Sequence, residues 1–235
     1  MKFRNVRLLV GAFALTAALP TAAAASPIIW YNGDLPVNGH GLASERNTTI
    51  SDARVYDDFV LTQATTIDEV FGNELMSSNF PTTAYWEIRS GVSSGNGGTL
   101  LYSGTNAATA TPTGRSADGF TEYHVDVTGL NLALGPGTYW LTVAAIDSGN
   151  GRAFMSLTNG ANAIGTPPGN DSNAFFDSTF FGTNFQPTVI AANPEYHDFS
   201  MGVAGTLTAV PEPMSLLLVG SGLAAVASSR RKKAE

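Results

Sequence analysis

The chain contains no cysteine among its 235 residues. Disulfides, zinc–thiolate sites and thiol nucleophiles are therefore excluded, and a stable fold must depend on its hydrophobic core. No segment between residues 26 and 209 shows a sustained 3.6-residue apolar period, so helices are not expected there. No His-x-His or His-Glu-x-x-His spacing occurs, which leaves zinc unsupported. We find no catalytic motif and do not expect an enzyme.

Positive charge is scarce in the middle of the chain. Of the 12 basic residues, three precede residue 8 and four follow residue 229; of the 19 acidic residues, two follow residue 209. Residues 26–209 therefore hold five arginines, no lysine and 17 carboxylates, a formal charge of −12. Such a surface repels nucleic acid and anionic lipid, so DNA and RNA are not expected partners. It favours divalent cations, or it simply keeps the protein soluble.

Residues 1–25 are typical of a secretory signal peptide. The charged start consists of Lys2, Arg4 and Arg7. An apolar stretch over residues 8–19 follows, and the small residues Ala23 and Ala25 stand before Ser26. This pattern predicts cleavage by signal peptidase after Ala25, with Ala24 or Ala22 as alternatives. An uncleaved membrane anchor is disfavoured because the apolar stretch is short.

Residues 210–235 combine a Pro-Glu-Pro sequence, an apolar run over 214–227 and a basic cluster. As a helix, the 14-residue run would span about 21 Å. A bilayer core is about 30 Å thick, so the run is short for a permanent anchor. The basic cluster would stay on the cytoplasmic side. These features predict a marginal transmembrane helix that holds the protein transiently, with an uncut single-span anchor as the alternative.

This tail resembles the PEP-CTERM sorting signal of Gram-negative bacterial surface proteins. The resemblance implies that an exosortase, a membrane-embedded cysteine transpeptidase-like enzyme, recognises and processes it. The implied sorting motif is Val210, Pro211, Glu212 and Pro213, and the implied cytoplasmic lock is Arg230, Arg231, Lys232 and Lys233. Two lysines stand where arginine is commoner in the family. We therefore expect export, transient retention at the inner membrane, and then a place at the cell surface or in the extracellular matrix.

Residues 26–209 predict one all-β domain. About ten short segments of alternating polarity are separated by Gly-, Asn- and Pro-rich turns. This pattern favours an antiparallel β-sandwich of jelly-roll type, flanked by the signal helix and the hydrophobic C-terminal helix. The apolar, β-branched segment 138–146 predicts a central strand, and residues 35–51 predict a long loop.

Alternation also predicts which side chains face the core. Val55, Phe59 and Leu61 should share a face, as should Ile67 and Phe71. Trp86 and Trp140 are expected in the core.

Several oxygen-bearing side chains lie at predicted strand ends and turns, and they are candidate calcium ligands. These are Asp57, Asp58, Asp147, Asn150 and Asp171. Because neighbours on a strand point to opposite faces, Asp57 and Asp58 are not expected to meet. Solvated turns are the alternative interpretation of each candidate.

Four phenylalanines in a segment bounded by Asn and Gly are candidate ligand contacts: Phe175, Phe176, Phe180 and Phe181. Loop aromatics would suit the stacking of a sugar, whereas core packing is the alternative. Three functions are therefore compared. The first is a structural or interaction role outside the cell. The others are a carbohydrate-binding module for extracellular polysaccharide, with calcium as a stabilising ion, and a secreted hydrolase.

Overall fold

The computed structural model describes residues 25–47, 51–77, 83–147, 151–166, 171–192, 195 and 197–208. This part of the chain forms sixteen strands and one short helix, α1 (Thr188–Ala191). The strands are β1 (Ile28–Tyr31), β2 (Gly41–Ala43), β3 (Glu45–Asn47), β4 (Asp52–Leu61), β5 (Thr65–Met76), β6 (Thr83–Ser90), β7 (Thr99–Ala107), β8 (Thr109–Ala117), β9 (Phe120–Val127), β10 (Leu132–Leu134), β11 (Gly137–Asp147), β12 (Ala153–Thr158), β13 (Phe175–Ser178), β14 (Thr183–Pro187), β15 (Asp198–Phe199) and β16 (Met201–Leu207). The predicted signal helix and C-terminal helix lie outside the described residues.

The strands form two sheets. Sheet I has nine strands built around β5, which pairs with β16 and β12 on one edge and with β9 and β10 on the other. Sheet II has seven strands, in the order β14-β13-β4-β3-β11-β6-β7. The pairs are antiparallel except for β3 with β11. The prediction of an all-β, antiparallel domain is confirmed. The segment 138–146, predicted as a central strand, lies within β11, which is placed between β3 and β6.

One hydrophobic core lies between the sheets, because alternate residues of each strand point inward. Val55, Phe59 and Leu61 of β4 are buried there, as predicted. From sheet I, Trp30 stacks on Phe59 with 5.3 Å between ring centroids. Aromatic burial of this size dominates the energetics of such cores and ties the two sheets together.

A β-bulge in β5 reverses the predicted orientation of Phe71. Along β16, Ala204 pairs with Glu69 but the next residue, Gly205, pairs with Ile67, so Asp68 is the extra residue. Beyond the bulge Val70 faces the core and Phe71 faces outward. The prediction that Ile67 and Phe71 share a face is wrong because a bulge shifts the alternation by one residue.

Two further expectations are corrected. Residues 35–51 contain β2 and β3 rather than one long loop. Trp86 lies in the core as predicted, but Trp140 lies on the outer face of sheet II. There it is buried in a second cluster with Tyr56, Val92, Phe175 and Phe185. Alternation correctly predicted that Trp140 is buried. It could not show on which of the two buried faces of sheet II this side chain lies.

Close packing at the bulge predicts that a methyl group added at Gly205 lowers the stability of the fold. A Cβ at Gly205 would lie 2.1 Å from the backbone oxygen of Thr66, so the backbone must move in Gly205→Ala. We expect a loss of about 1–3 kcal/mol in the free energy of unfolding, measured by urea denaturation. Gly135→Ala is the matched control, since nothing lies within 4 Å of its Cβ. It should leave stability unchanged or raise it by up to about 1 kcal/mol; equal effects of the two changes would contradict the steric argument.

Candidate metal centre

Asp57 and Asp58 lie where β4 loses one of its neighbours. β13 begins at Phe175, which pairs with Tyr56, and Val60 is bridged by Thr166, so Asp57 and Asp58 lie between these two pairings. The residues that lead directly into β13 bring Asp171 close to both aspartates. On the other edge, β4 stays paired with β11, which fixes the backbone of both aspartates.

Three carboxylates converge at this point. Oxygen atoms of Asp57, Asp58 and Asp171 all lie within 4.8 Å of one another. Two ligands of a calcium ion, each about 2.4 Å from it, are at most about 4.8 Å apart, so this spacing fits a shared cation. The expectation that Asp57 and Asp58 point apart is wrong at this edge. The backbone N–H of Asp58 donates to Asp57 Oδ1 at 2.9 Å, which holds the Asp57 carboxylate beside its neighbour.

Asp198 and Asn32 extend the cluster from sheet I. Asn32 Nδ2 donates to Asp57 Oδ2 at 2.8 Å, and the backbone N–H of Phe199 donates to the same oxygen at 2.6 Å. The backbone N–H of Ser172 donates to Asp198 Oδ1 at 3.2 Å. The cluster therefore joins the end of β1, the start of β15, β4 and the segment before β13.

Three buried oxygens of this cluster have no hydrogen-bond partner among the described residues: Asp58 Oδ1, Asp198 Oδ2 and Asn32 Oδ1. The residues that carry them are 4%, 0% and 1% exposed. Buried polar atoms in proteins are nearly always paired, and each unpaired one costs about 1–3 kcal/mol or more if charged. A bound cation would satisfy them.

Burial and mutual repulsion raise the pKa values of these acids. Burial, followed by the charge of Asp171, raises the pKa of Asp58 to about 6 and that of Asp198 to about 7. Burial, with the charge of Asp198 next, also raises the pKa of Asp57 well above its ordinary range. Without a cation the cluster therefore retains protons that ordinary aspartates would have lost.

Oxygen-only ligands suit a hard cation and give no support for zinc or copper. His197 lies nearby, and its Nδ1 is 2.7 Å from Ser172 Oγ in an exposed pair. No carboxylate within the described residues hydrogen-bonds the His197 ring, so a Ser-His-Asp triad is not assembled there.

The sequence pattern Gly-x-Ser-x-Gly occurs once, at residues 91–95. There Ser93 and Asn96 form a bridge in the turn that joins β6 to β7. A nucleophile elbow requires a strand followed by a helix, and here a strand follows instead. The motif therefore supplies no hydrolase nucleophile.

The comparisons with known proteins identify one segment. Residues 209–232 match the family model described as the PEP-CTERM protein-sorting motif. The chain carries a PEP-CTERM sorting motif. This confirms the resemblance of the tail, whereas the searches of curated proteins and of solved structures found no match.

The PEP-CTERM motif indicates an exported protein that is sorted at the membrane, processed by an exosortase and then placed at the surface. The motif and its basic cluster lie outside the residues that the structure describes. Among those residues, no helix has the length and apolarity needed to span a membrane. Signal-peptide cleavage and the fate of the PEP-CTERM tail stay predictions.

The predicted ligand residues of this PEP-CTERM protein divide into several groups. Asp57, Asp58 and Asp171 come together, whereas Asn150 and the side chain of Asp147 lie outside the described part of the structure. Asp198 and Asn32 were missed, because only the pairing of β1 and β15 with distant strands brings them to the cluster.

The four predicted aromatic contacts differ in exposure. Phe175 and Phe176 are buried, whereas Phe180 and Phe181 are 62% and 51% exposed. A ligand could therefore reach the second pair. Phe181 lines a cleft of about 360 Å³.

The raised pKa values predict an inverted pH dependence of stability in the metal-free protein. The folded state holds protons that the unfolded state, with aspartate pKa values of about 3.9, releases. Stability contributed by Asp58 and Asp198 is therefore present at low pH and lost as pH rises through about 6 and 7. In a chelator, the urea midpoint should fall from pH 5 to pH 7.5. Asp198→Asn should flatten this fall and Asp68→Asn, outside the cluster, should not; a steeper fall in Asp198→Asn would contradict the assignment.

Proposed function

We propose that this protein is an exported structural or interaction protein of the bacterial cell surface or extracellular matrix. Its sorting motif supports export and processing, and its two antiparallel sheets around one core support a β-sandwich of jelly-roll type. We further propose that a calcium ion, bound by Asp57, Asp58, Asp171 and Asp198, holds the two sheets together at one end.

The observation that carries the calcium proposal is the convergence of the Asp57, Asp58 and Asp171 carboxylates. Beside it, buried oxygens of Asp58 and Asp198 have no hydrogen-bond partner among the described residues. Two like charges in a low-dielectric site repel each other strongly, so such a cluster must hold protons or a cation. Calcium accepts six to eight oxygen ligands in flexible geometry, and extracellular modules bind it with Kd values of about 10⁻⁴–10⁻³ M. Magnesium requires stricter octahedral geometry and keeps its waters, which makes it a weaker candidate.

A saccharide-binding role is the second candidate function. It is favoured by Phe180 and Phe181, which lie exposed on an acidic, exported domain with an edge-to-face ring contact at 4.9 Å. Large exposed aromatics of this kind are typical of binding surfaces. The hydrolase hypothesis has no comparable support in the described residues.

Calcium should stabilise the folded protein, because it binds oxygens that exist together only in that state. At 100 times its Kd, a ligand adds about 2.7 kcal/mol to the free energy of unfolding. We expect millimolar CaCl₂ to raise the Tm of chelator-treated protein at pH 7.5, with a smaller effect of MgCl₂.

The exposed ligand candidate offers a variant that should still fold. Asp171→Asn should weaken the calcium response by at least about tenfold in concentration, since it removes one charged ligand. The control Asp68→Asn should respond like the unaltered protein. An unaltered protein whose Tm does not change with CaCl₂ would refute the site.

Processing of the tail can be tested at the protein's ends. Mass spectrometry of the mature protein should find an N-terminus at Ser26 and no peptide that ends at Glu235. Replacing Pro211, Glu212 and Pro213 by alanine should leave the tail intact and the protein in the membrane fraction. Ser215→Ala, just outside the motif, is the control and should be processed normally. A mature protein that still ends at Glu235 would instead indicate a retained anchor.

A further inference from the structure

Sheet I carries a line of phenylalanine rings on its outer face. Phe154 of β12 pairs with Leu75 of β5, and the chain neighbours of Phe154, Ala153 and Met155, belong to the core, so this pair lies on the opposite face of the sheet. Phe120 at the start of β9 packs against Phe154 with 5.2 Å between ring centroids. These side chains line a small hollow of about 80 Å³, to which Gly41 and Asp118 also contribute.

This hollow adjoins the larger cleft that contains Phe181. Phe154 and Gly41 belong to both depressions, so the two form one groove. The larger part, of about 360 Å³, is lined on its far side by Phe176 and Phe181. Phe181 packs on Phe176 at 5.9 Å and on Phe180 at 4.9 Å, which fixes the exposed rings in place. The groove thus presents aromatic surface at both ends and along its floor.

Glycine keeps the groove open at its narrowest point. A Cβ on Gly41 would lie 2.7 Å from the Cβ of Phe154 and 3.1 Å from a methyl group of Leu75. Any larger residue at position 41 would therefore displace Phe154 or Leu75. The absence of a side chain here allows the Phe154 ring to lie against β2.

Polar groups stand along the groove at intervals. The guanidinium carbon of Arg152 lies 4.7 Å from the centroid of the Phe154 ring, and the Arg152 Nε donates to Glu45 Oε1 at 2.8 Å. At the other end, His40 Nδ1 and Asp118 Oδ1 form an exposed contact at 2.8 Å.

The charge of the groove selects among possible occupants. Arg152 is neutralised by Glu45, so the groove itself offers no free cation for an anionic ligand. The surrounding domain carries a formal charge of −12, which repels anionic polysaccharides and anionic lipid surfaces. A neutral chain with flat apolar faces and many hydroxyl groups fits the alternation of rings and polar atoms.

We propose that this groove binds a neutral polysaccharide, whose sugar rings stack on Phe120, Phe154 and Phe181 in succession. This inference deepens the second candidate function above and does not depend on the calcium site. Arg152 supplies hydrogen bonds to hydroxyl groups, and the open ends of the groove allow the chain to continue past the protein.

Affinity electrophoresis of the full protein in gels that contain one polysaccharide each tests the proposal. The panel comprises three neutral polymers (dextran, galactomannan and hydroxyethyl cellulose) and anionic alginate. At least one neutral polymer should retard the protein, and alginate should not. No retardation by any neutral polymer, or stronger retardation by alginate, would overturn the proposal.

Variants of Phe181 separate sugar stacking from apolar docking. Because a sugar stacks on an aromatic face, Phe181→Leu should weaken binding about tenfold while Phe181→Trp preserves it. A groove that docks a protein segment would tolerate Phe181→Leu, since leucine keeps most of the apolar area. Leu207→Ala is the control, because Leu207 is also 51% exposed but lies outside the groove. Equal binding by Phe181→Leu and the unaltered protein would refute the stacking assignment.

The other hollow on sheet I provides a second check. It has a volume of about 210 Å³ and is lined by Tyr31, Asn73, Arg115 and His124. Loss of binding in His124→Leu, with normal binding in Phe181→Leu, would move the sugar to that hollow and overturn the groove. The Tm response to CaCl₂, measured on the same samples, distinguishes failure of this inference from failure of the calcium site.

Discussion

Mutual repulsion among buried carboxylates is the constraint on which this end of the fold depends. Asp57 and Asp58 are nearly inaccessible to solvent, yet their oxygens lie within 4.8 Å of each other and of Asp171. The buried Asp198 lies close enough for its charge to act on Asp57. In a hydrocarbon core such an arrangement would be strongly destabilising, because charges buried without a partner cost several kcal/mol each. The fold tolerates these carboxylates because protons or a divalent cation can neutralise them. Which of the two is bound depends on the pH and the calcium concentration of the medium. The local stability of the protein is therefore linked to its environment.

The few arginines of the domain cannot relieve this repulsion. Each of them is engaged elsewhere within the described residues, as Arg54 is with Asp177 at 3.3 Å and Arg115 is with Asp34 at 3.1 Å. Arg89 donates to Glu87 on the outer face of sheet II. Lysine occurs only near the two ends of the chain. The positive charge of the sequence thus serves ion pairs on the sheets and the address signals at its ends, which leaves the aspartate cluster to an external cation.

Sequence patterns predicted much of the fold and part of the site. Alternation was sufficient for Val55, Phe59 and Leu61 of β4, because this strand pairs with β11 in an unbroken register. It failed at Phe71, because the bulge at Asp68 depends on how β16 pairs with β5 and leaves no local signature. It also failed for Asp57 and Asp58, because the Asp57 carboxylate turns back to accept a hydrogen bond from the backbone N–H of Asp58. Asp198 could not be assigned to the site from sequence at all, because 140 positions separate it from Asp58 and only the topology brings them together.

The pairing of β1 with β16 has a mechanical consequence. β16 runs from the aspartate cluster, beside Asp198, to Leu207, from which the chain continues toward the sorting motif. Its seven residues span about 23 Å, so the cluster and the tail lie at opposite ends of one strand. Tension applied through the tail would therefore run along β16, load its hydrogen bonds to β1 and β5 in shear, and end at the ion site. A bound ion would therefore hold the end of β16 that lies farthest from the tail. The affinity of the site would set the force needed to begin detaching this strand.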